Sequence, residues 1–352
     1  MKGPPTGFSI GGLFVHHMPI PTLFLVQAFV ACATAVLTSV SVAAPTPLAL
    51  SDAQRLAIER SPQIAAYDST LGASDATIVE QKTAASVDIA RETALAWLEC
   101  HYVEQMTRIA DDQRKFAEVE VEASERMYWA GRVSQAEFYE ARGMLAMLED
   151  KWSELTHRSR AARIALKRWV GDAGDSPLSA LPDLDRIRLT ARGLEGDLAR
   201  QPDIVLLKKQ TQAGAGELSV VHADTRSAPE IAVKIAHADE AHAAGDEKLR
   251  AKVAVMRVLI DAWQHARDRR TRYARDVLPL ARERTLATAV AYRGGKATLT
   301  DVLAARRAEI DAKMQSVEVE RDVARMWAQL NFALPETLPS ASRTTSHGET
   351  PR

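Results

Sequence analysis

From about Val87 to Trp129, apolar residues recur mostly every third or fourth position: Ala90, Ala94, Trp97, Leu98, Val103, Met106 and Ile109. That period gathers them on one face of an α-helix, and a continuous helix of this length spans roughly 65 Å. Phe138, Ala141, Leu145, Leu148, Trp152, Leu155, Ala162, Leu166 and Trp169 carry the same period to Gly171 and predict a second helix, roughly 55 Å long. So short a connection forces the two to run back antiparallel as a coiled-coil hairpin. The pattern then repeats. Lys248 to Arg293 reads as helix with Val253, Val255, Met256, Leu259, Ile260 and Trp263 inside, Trp263 taking the part of Trp97. Pro279 must kink or divide this helix, because it removes a backbone donor. A last helix runs from Thr298 through Val302, Leu303, Ile310, Met314, Val317, Val323, Trp327 and Leu330, and stops near Pro335.

The two connections share a spelling. Tyr128-Trp-Ala-Gly131-Arg132-Val-Ser134-Gln-Ala-Glu137 and Tyr292-Arg-Gly-Gly295-Lys296-Ala-Thr298-Leu-Thr-Asp301 both read Tyr-x-x-Gly-basic-x-Ser/Thr-x-x-acid, 164 residues apart. Both continue into an Ala-Arg pair, Ala141-Arg142 and Ala305-Arg306. Glycine at a helix end supplies the left-handed conformation without a Cβ penalty. Ser134 and Thr298 then suit N-caps, and Glu137 completes a capping box. Asp301 is shorter and is read as an acid favoured by the helix dipole. Matched special positions between long helices indicate an internal duplication. Smaller signals point the same way. Ser51 reads as an N-cap with Gln54 at N3, Ser61-Pro62 restarts a helix, and Gln201-Pro202 corresponds to it in the second half.

Composition agrees. Lys+Arg number 45 against 46 Asp+Glu, which gives no support to nucleic acid as a partner. Aromatics at 5% and 17 glycines favour long helices over a compact α/β enzyme core. The fold class is therefore mainly α: long antiparallel coiled-coil helical hairpins from a duplication. Residues 1–43 read as a signal peptide, since the apolar run 21–44 ends in Ser41-Val42-Ala43, with small residues where signal peptidase needs them. A retained membrane helix also fits the run's length. Met18 is an alternative start, and Cys32 only faintly resembles a lipidation site because the apolar run continues past it. The first repeat covers 44–180 with its turn at 130–134, and the second 181–336 with its turn at 294–298. Residues 171–190, rich in Gly, Pro and Asp, join them, and 337–352 form a disordered tail.

Chemistry is sparse. His237 and His242 are spaced i, i+5, which does not align two rings on one helix face, and a solvated polar loop is expected there rather than a metal site. Cys100 would be the only cysteine after cleavage, so it can form no intrachain disulfide and reads as a small buried apolar residue. Glu118-Val119-Glu120-Val121-Glu122 reads as an exposed helix face. No phosphate loop, nucleophile elbow or cofactor motif occurs, and no enzyme activity is expected.

The duplicated hairpins, the export signal and the two turns, with Leu50-Ser51-Asp52-Ala53, Glu59-Arg60-Ser61-Pro62 and Val277-Leu278-Pro279, together resemble the TolC-like outer-membrane efflux proteins, weakly those of the heavy-metal branch. The resemblance covers about residues 48 to 336. It implies a homotrimer in which each protomer gives four strands to an outer-membrane β-barrel and its helices to a periplasmic tunnel. It also implies helix-turn-helix tips that meet a periplasmic membrane-fusion adaptor working with an inner-membrane pump. Carried onto this chain, the docking residues are Gly131, Arg132 and Ser134 at one tip and Gly295, Lys296 and Thr298 at the other. The function implied is a passive exit duct for small solutes or metal cations. One departure supports an alternative, a strandless periplasmic helical protein that binds adaptors without conducting. Pro62 to Trp97 is 35 residues, against 61 from Pro202 to Trp263, and no strand-like alternation of membrane length occurs between Asp68 and Asp88. Only Pro229 to Ala236 alternates, reading as one short strand.

Overall fold

The structure is a computed structural model that describes residues 46–70, 76–189, 193–209 and 228–335. The chain folds as α1 (Leu50–Glu59), α2 (Pro62–Thr70), α3 (Ala76–Trp129) and α4 (Gln135–Val170), then a 3₁₀ turn at Gly171–Asp175 and α5 (Leu194–Leu198). Residues 202–209 are helical (α6). There follow α7 (Ala228–Arg272), a π-helical turn at Tyr273–Val277, α8 (Leu278–Arg293) and α9 (Leu299–Asn331). At 54 residues, α3 is roughly 80 Å long.

The expected hairpins are present, α3 against α4 and α7–α8 against α9. What joins the halves is α9, which packs on α3 as well as on α7 and α8. One core unites Trp97, Leu98, Tyr102 and Met106 of α3 with Leu155 and Leu166 of α4, Trp263 of α7 and Val323, Ala328 and Leu330 of α9. Buried Ala94, Ala110, Ala162, Ala266 and Ala324 keep the contact surfaces small, so the helices approach closely. Dispersion then acts over many atom pairs that a bulkier residue would hold apart.

The two ends of the fold are tied down by indole groups. Leu48 forms an isolated parallel bridge with Leu178, through Leu48 N–H to Pro177 O at 2.8 Å and Ser179 N–H to Leu48 O at 3.1 Å. Trp97 Nε1 also donates to Leu48 O at 3.1 Å. In the second half the corresponding tether comes from Trp327, whose Nε1 donates to Arg186 O at 2.8 Å. Trp263 is buried like Trp97, but its indole N–H meets no acceptor among the described residues, and Arg267 stacks 4.6 Å above its ring. The equivalence expected of Trp97 and Trp263 therefore holds for burial and fails for hydrogen bonding.

Other expectations are corrected by tertiary contacts. Helix α1 starts at Leu50, so Ser51 lies inside it and caps nothing. Leu48 and Leu50 are drawn into the core, and Gln54 reaches across to Ala90 O at 3.0 Å instead of completing a cap. Ser61 does accept from Ile64 N–H, at 3.4 Å, ahead of Pro62 in the first turn of α2. Residues 229–236, expected as a strand, are the first turns of α7, and so His237 and His242 lie on a helix rather than a loop, both exposed. The Ala-rich continuation from Ala236 to Ala244 favours helix strongly enough to override an eight-residue alternation. At Pro279 the expectation holds: a π turn at Tyr273–Val277 divides the helix into α7 and α8. The π turn sends the Leu278 N–H to Tyr273 O, and Pro279 falls in the first turn of α8, where a missing donor matters least.

The strand question has a geometric answer for the first repeat. Between the end of α2 at Thr70 and the start of α3 at Ala76 lie five residues. Two membrane strands need about 9–11 residues each, so no strand pair fits there. In the second repeat, residues 210–227 lie outside the described residues, as do the expected signal segment 1–43 and tail 337–352. Among the described residues no helix is long and apolar enough to cross a membrane.

Candidate functional site

The α3–α4 and α8–α9 turns are built alike. In the first, Gly131 N–H bonds to Tyr128 O and Arg132 N–H to Met127 O, both at 2.9 Å. In the second, Gly295 N–H bonds to Tyr292 O and Lys296 N–H to Ala291 O, again at 2.9 Å. This is the double closure of a helix end by a left-handed residue, and Gly131 and Gly295 have φ of 69° and 67°. A Cβ on either would meet no atom within 4 Å, so backbone conformation rather than space requires glycine.

Each turn then starts its next helix with a full capping box. Ser134 Oγ accepts from Glu137 N–H at 3.2 Å, and Ser134 N–H donates to Glu137 Oε2 at 2.7 Å. Thr298 Oγ1 accepts from Asp301 N–H at 3.2 Å, and Thr298 N–H donates to Asp301 Oδ2 at 2.9 Å. Asp301, expected to act only through the helix dipole, thus closes its box as completely as Glu137. Hydrogen bonds from the Ser134 backbone and hydroxyl hold the Glu137 carboxyl below its usual range. Those from Thr298 do the same to Asp301.

The structure brings all six expected residues, Gly131, Arg132, Ser134, Gly295, Lys296 and Thr298, to one exposed surface. The turns meet because Glu137 is long enough to do two things. Its Oε1 accepts the Leu299 N–H at 3.3 Å, one of the orphan donors at the start of α9. Beside it, Thr300 Oγ1 donates to Glu140 Oε2 at 2.6 Å, and Tyr292 OH lies 3.7 Å from Met127 Sδ. Beneath the turns, Ala141, Met144 and Leu148 of α4 pack with Leu303 and Ile310 of α9 and Ala117 of α3. The paired arginines both cover aromatic rings, Arg142 at 5.8 Å from the centre of Phe138 and Arg306 at 4.4 Å from that of Phe116. Arg306 also holds the buried Glu309 at 3.2 Å, which Lys313 approaches to 2.7 Å.

The surface carries charges of both signs. The acids Glu137, Asp301 and Glu140 accept hydrogen bonds from backbone and hydroxyl groups at the surface, Glu125 is exposed nearby, and Arg132, Arg293 and Lys296 have no carboxylate partner among the described residues. Sequence reasoning passed over Trp129, which is 77% exposed and stands next to the first turn. Its signal lay in the repeat itself: the matching position in the second copy is Arg293. Elsewhere, the run from Glu118 to Glu122 is less uniform than expected. Glu118 pairs with Arg114, and Glu120 is part-buried with its carboxyl pushed up by burial. Cys100 is buried, and burial raises its thiol to about 12, so no thiolate nucleophile is present there. Among the described residues no three His, Cys, Asp or Glu side chains gather as a metal site.

By sequence, no family model and no curated protein matches the chain. By structure, similar solved proteins include a membrane protein from Pseudomonas aeruginosa, at TM-score 0.65 and 14% identity over 73% of this chain and 69% of that one. The outer-membrane protein VceC of Vibrio cholerae gives 0.62 and 15% over 74% and 72%. The open MtrE outer-membrane channel of Neisseria gonorrhoeae gives 0.62 and 12% over 81% and 88%. The chain has the helical fold of the TolC-like outer-membrane efflux channels, with no β-strand among its described residues beyond the isolated Leu48–Leu178 bridge.

Proposed function

We propose that this chain works in a tripartite efflux system, in the place of the outer-membrane channel, and docks through its paired turns onto a periplasmic membrane-fusion adaptor coupled to an inner-membrane pump. The observation that carries this reading is the joining of both turns on one exposed surface by the Glu137–Leu299 hydrogen bond. Gly131, Arg132, Ser134, Gly295, Lys296 and Thr298 form the docking residues: glycine turns offer close approach of backbone, and the two bases offer charge. The role is passive. A homotrimer of such protomers would form an exit path for small solutes or metal cations driven by the pump, without enzyme chemistry.

Replacing Gly131 and Gly295 by valine tests the docking. A β-branched residue at positive φ is strained by about 1–2 kcal/mol, enough to reshape a turn without melting helices of this length. Cross-linking to the adaptor is expected to fall sharply while circular dichroism shows unchanged helix content. Undiminished cross-linking would remove these turns from the docking surface.

A second reading rests on the five residues between α2 and α3. It keeps the docking and drops the conduction: a strandless helical protein held in the periplasm by its adaptor. Fractionation of tagged protein separates the two. An integral outer-membrane trimer resistant to carbonate supports the duct, and soluble periplasmic material supports the strandless form.

A further inference from the structure

We propose that Glu120 is a proton-operated latch on the seam between α3 and α9: with a proton on its carboxyl the seam packs closed beneath the two turns, and as the proton leaves the seam loosens. The latch is a property of the fold and stands whether or not the turns dock an adaptor. Where they do, it regulates how firmly the two halves of that surface are joined.

Gln113, Phe116 and Glu120 are spaced to share one face of α3, as Arg306, Glu309 and Lys313 are on α9. The strips meet where the Arg306 guanidinium lies 4.4 Å from the centre of the Phe116 ring, one helical turn from Glu120. Both bases of the α9 strip are already committed. Glu309, its side chain only 5% exposed, takes Arg306 at 3.2 Å and Lys313 at 2.7 Å. The buried Nε of Arg306 has no acceptor, and no hydrogen bond joins Arg306 to Glu120 among the described residues. The α4 residues packed on this stretch, Ala141, Met144, Leu145 and Leu148, are apolar. From α8, Thr285 donates to Ala305 O at 3.2 Å. The charged residues beside these, Arg142, Glu149, Glu283 and Arg284, are exposed. On α3 itself Arg114 is taken by Glu118 and Lys115 by Asp111, and Arg126 lies 3.8 Å from Glu122.

A part-buried carboxylate in such a seam loses water and finds its facing cation held by another acid. Desolvation then outweighs the attraction. Burial accordingly pushes the Glu120 carboxyl up from its ordinary 4.5, with Arg306 opposing. The packed seam prefers the proton, and a seam opened to water does not. Opening is therefore favoured as pH rises from 4.5 through the raised value. The neighbouring acids titrate outside that window. Hydrogen bonds from Ser134 and Thr298 hold Glu137 and Asp301 below their ordinary values. Burial raises Glu309, but Lys313 and Arg306 bring it below its own. Glu320, raised by burial with Arg270 of α7 opposing, is the other carboxyl to be told apart from Glu120.

Hydrogen exchange of the full-length protein between pH 5 and pH 8, corrected for the intrinsic pH dependence of amide exchange, gives the test. Opening of peptides covering residues 113–122 and 302–310 should rise severalfold across that range, while the core stretch 155–166 of α4 stays level. Glu120→Gln keeps the shape and removes the titration, so it should hold both peptides at their low-pH value throughout. Glu120→Leu serves in the same way if the glutamine variant fails to fold. Glu122→Gln, on the exposed side of α3, should leave the rise intact. A flat or falling response in the unaltered protein would overturn the latch. So would an undiminished rise in Glu120→Gln, which would hand the titration to another group such as Glu320, or loss of the rise in Glu122→Gln. No adaptor enters these measurements, so a failure of the latch and a failure of docking are read separately.

Discussion

Glu137 and Leu299 are 162 residues apart and joined by a hydrogen bond of 3.3 Å, from the first amide of α9 to the carboxylate that caps α4. The second repeat does not return the contact. Asp301 closes its own capping box but lacks the methylene that would carry its other oxygen across to α4. The duplication is thus symmetric in its caps and asymmetric in its cross-link.

Glu137→Asp separates these two roles. The shorter acid should still cap α4, as Asp301 caps α9, but should lose Leu299. In hydrogen exchange, the Leu299 amide is expected to exchange faster while the amide of residue 137 keeps its protection. Equal exchange at Leu299 in both proteins would mean that the turns are joined by packing alone.

Carboxylates in the tip region should respond to pH with opposite signs. The Glu137 carboxyl is lowered from its ordinary 4.5 and Asp301 from 3.8, so the caps' stabilisation is present at neutral pH and fades as pH falls through the folded-state values, below those figures. Glu120 is raised from 4.5 by burial, against the attraction of Arg306, so its contribution is full only below 4.5 and is lost as pH rises through the raised value. Glu120→Gln should therefore raise the melting temperature at pH 7 by roughly 1–3 °C and change it little at pH 4. A larger gain at pH 4 than at pH 7 would contradict the burial argument.

The three buried tryptophans should rank by their N–H partners. Phenylalanine keeps most of the ring and removes the donor, so Trp97→Phe and Trp327→Phe should each lose about 1 kcal/mol for the hydrogen bond, beyond any packing change. Trp263→Phe has no such bond to lose and should cost less. Truncation differs: Trp97→Ala opens a cavity in the core and should cost about 3–5 kcal/mol. Denaturant midpoints check the order, and equal costs for all three phenylalanine variants would disprove it.

Pro279→Ala should gain far less than the ~3 kcal/mol that separates these residues inside a regular helix. The π turn has already routed the Leu278 amide to Tyr273 O and left the proline where its missing donor is tolerated. A gain of the full amount, measured by denaturation, would mean that the π turn does not relieve the proline.

The amino-acid sequence by itself determined the long helices, their two turns and the duplication. These depend on contacts within a few residues: a three-and-four apolar period, a glycine at positive φ, a hydroxyl and an acid three positions apart. Even the six tip residues were legible that way, because capping is local. Tertiary structure decided everything that needs a partner far along the chain. Packing of Leu48 and Leu50 displaced the cap expected at Ser51, and the segment at Arg186 took its indole donor from Trp327 rather than Trp263. The arrival of α9 beside α4 made one surface of two turns, tied Glu137 and Glu140 to α9 and left Trp129 outside. No local period encodes which face a distant helix will cover, so the exposure of that indole could be read only from the fold.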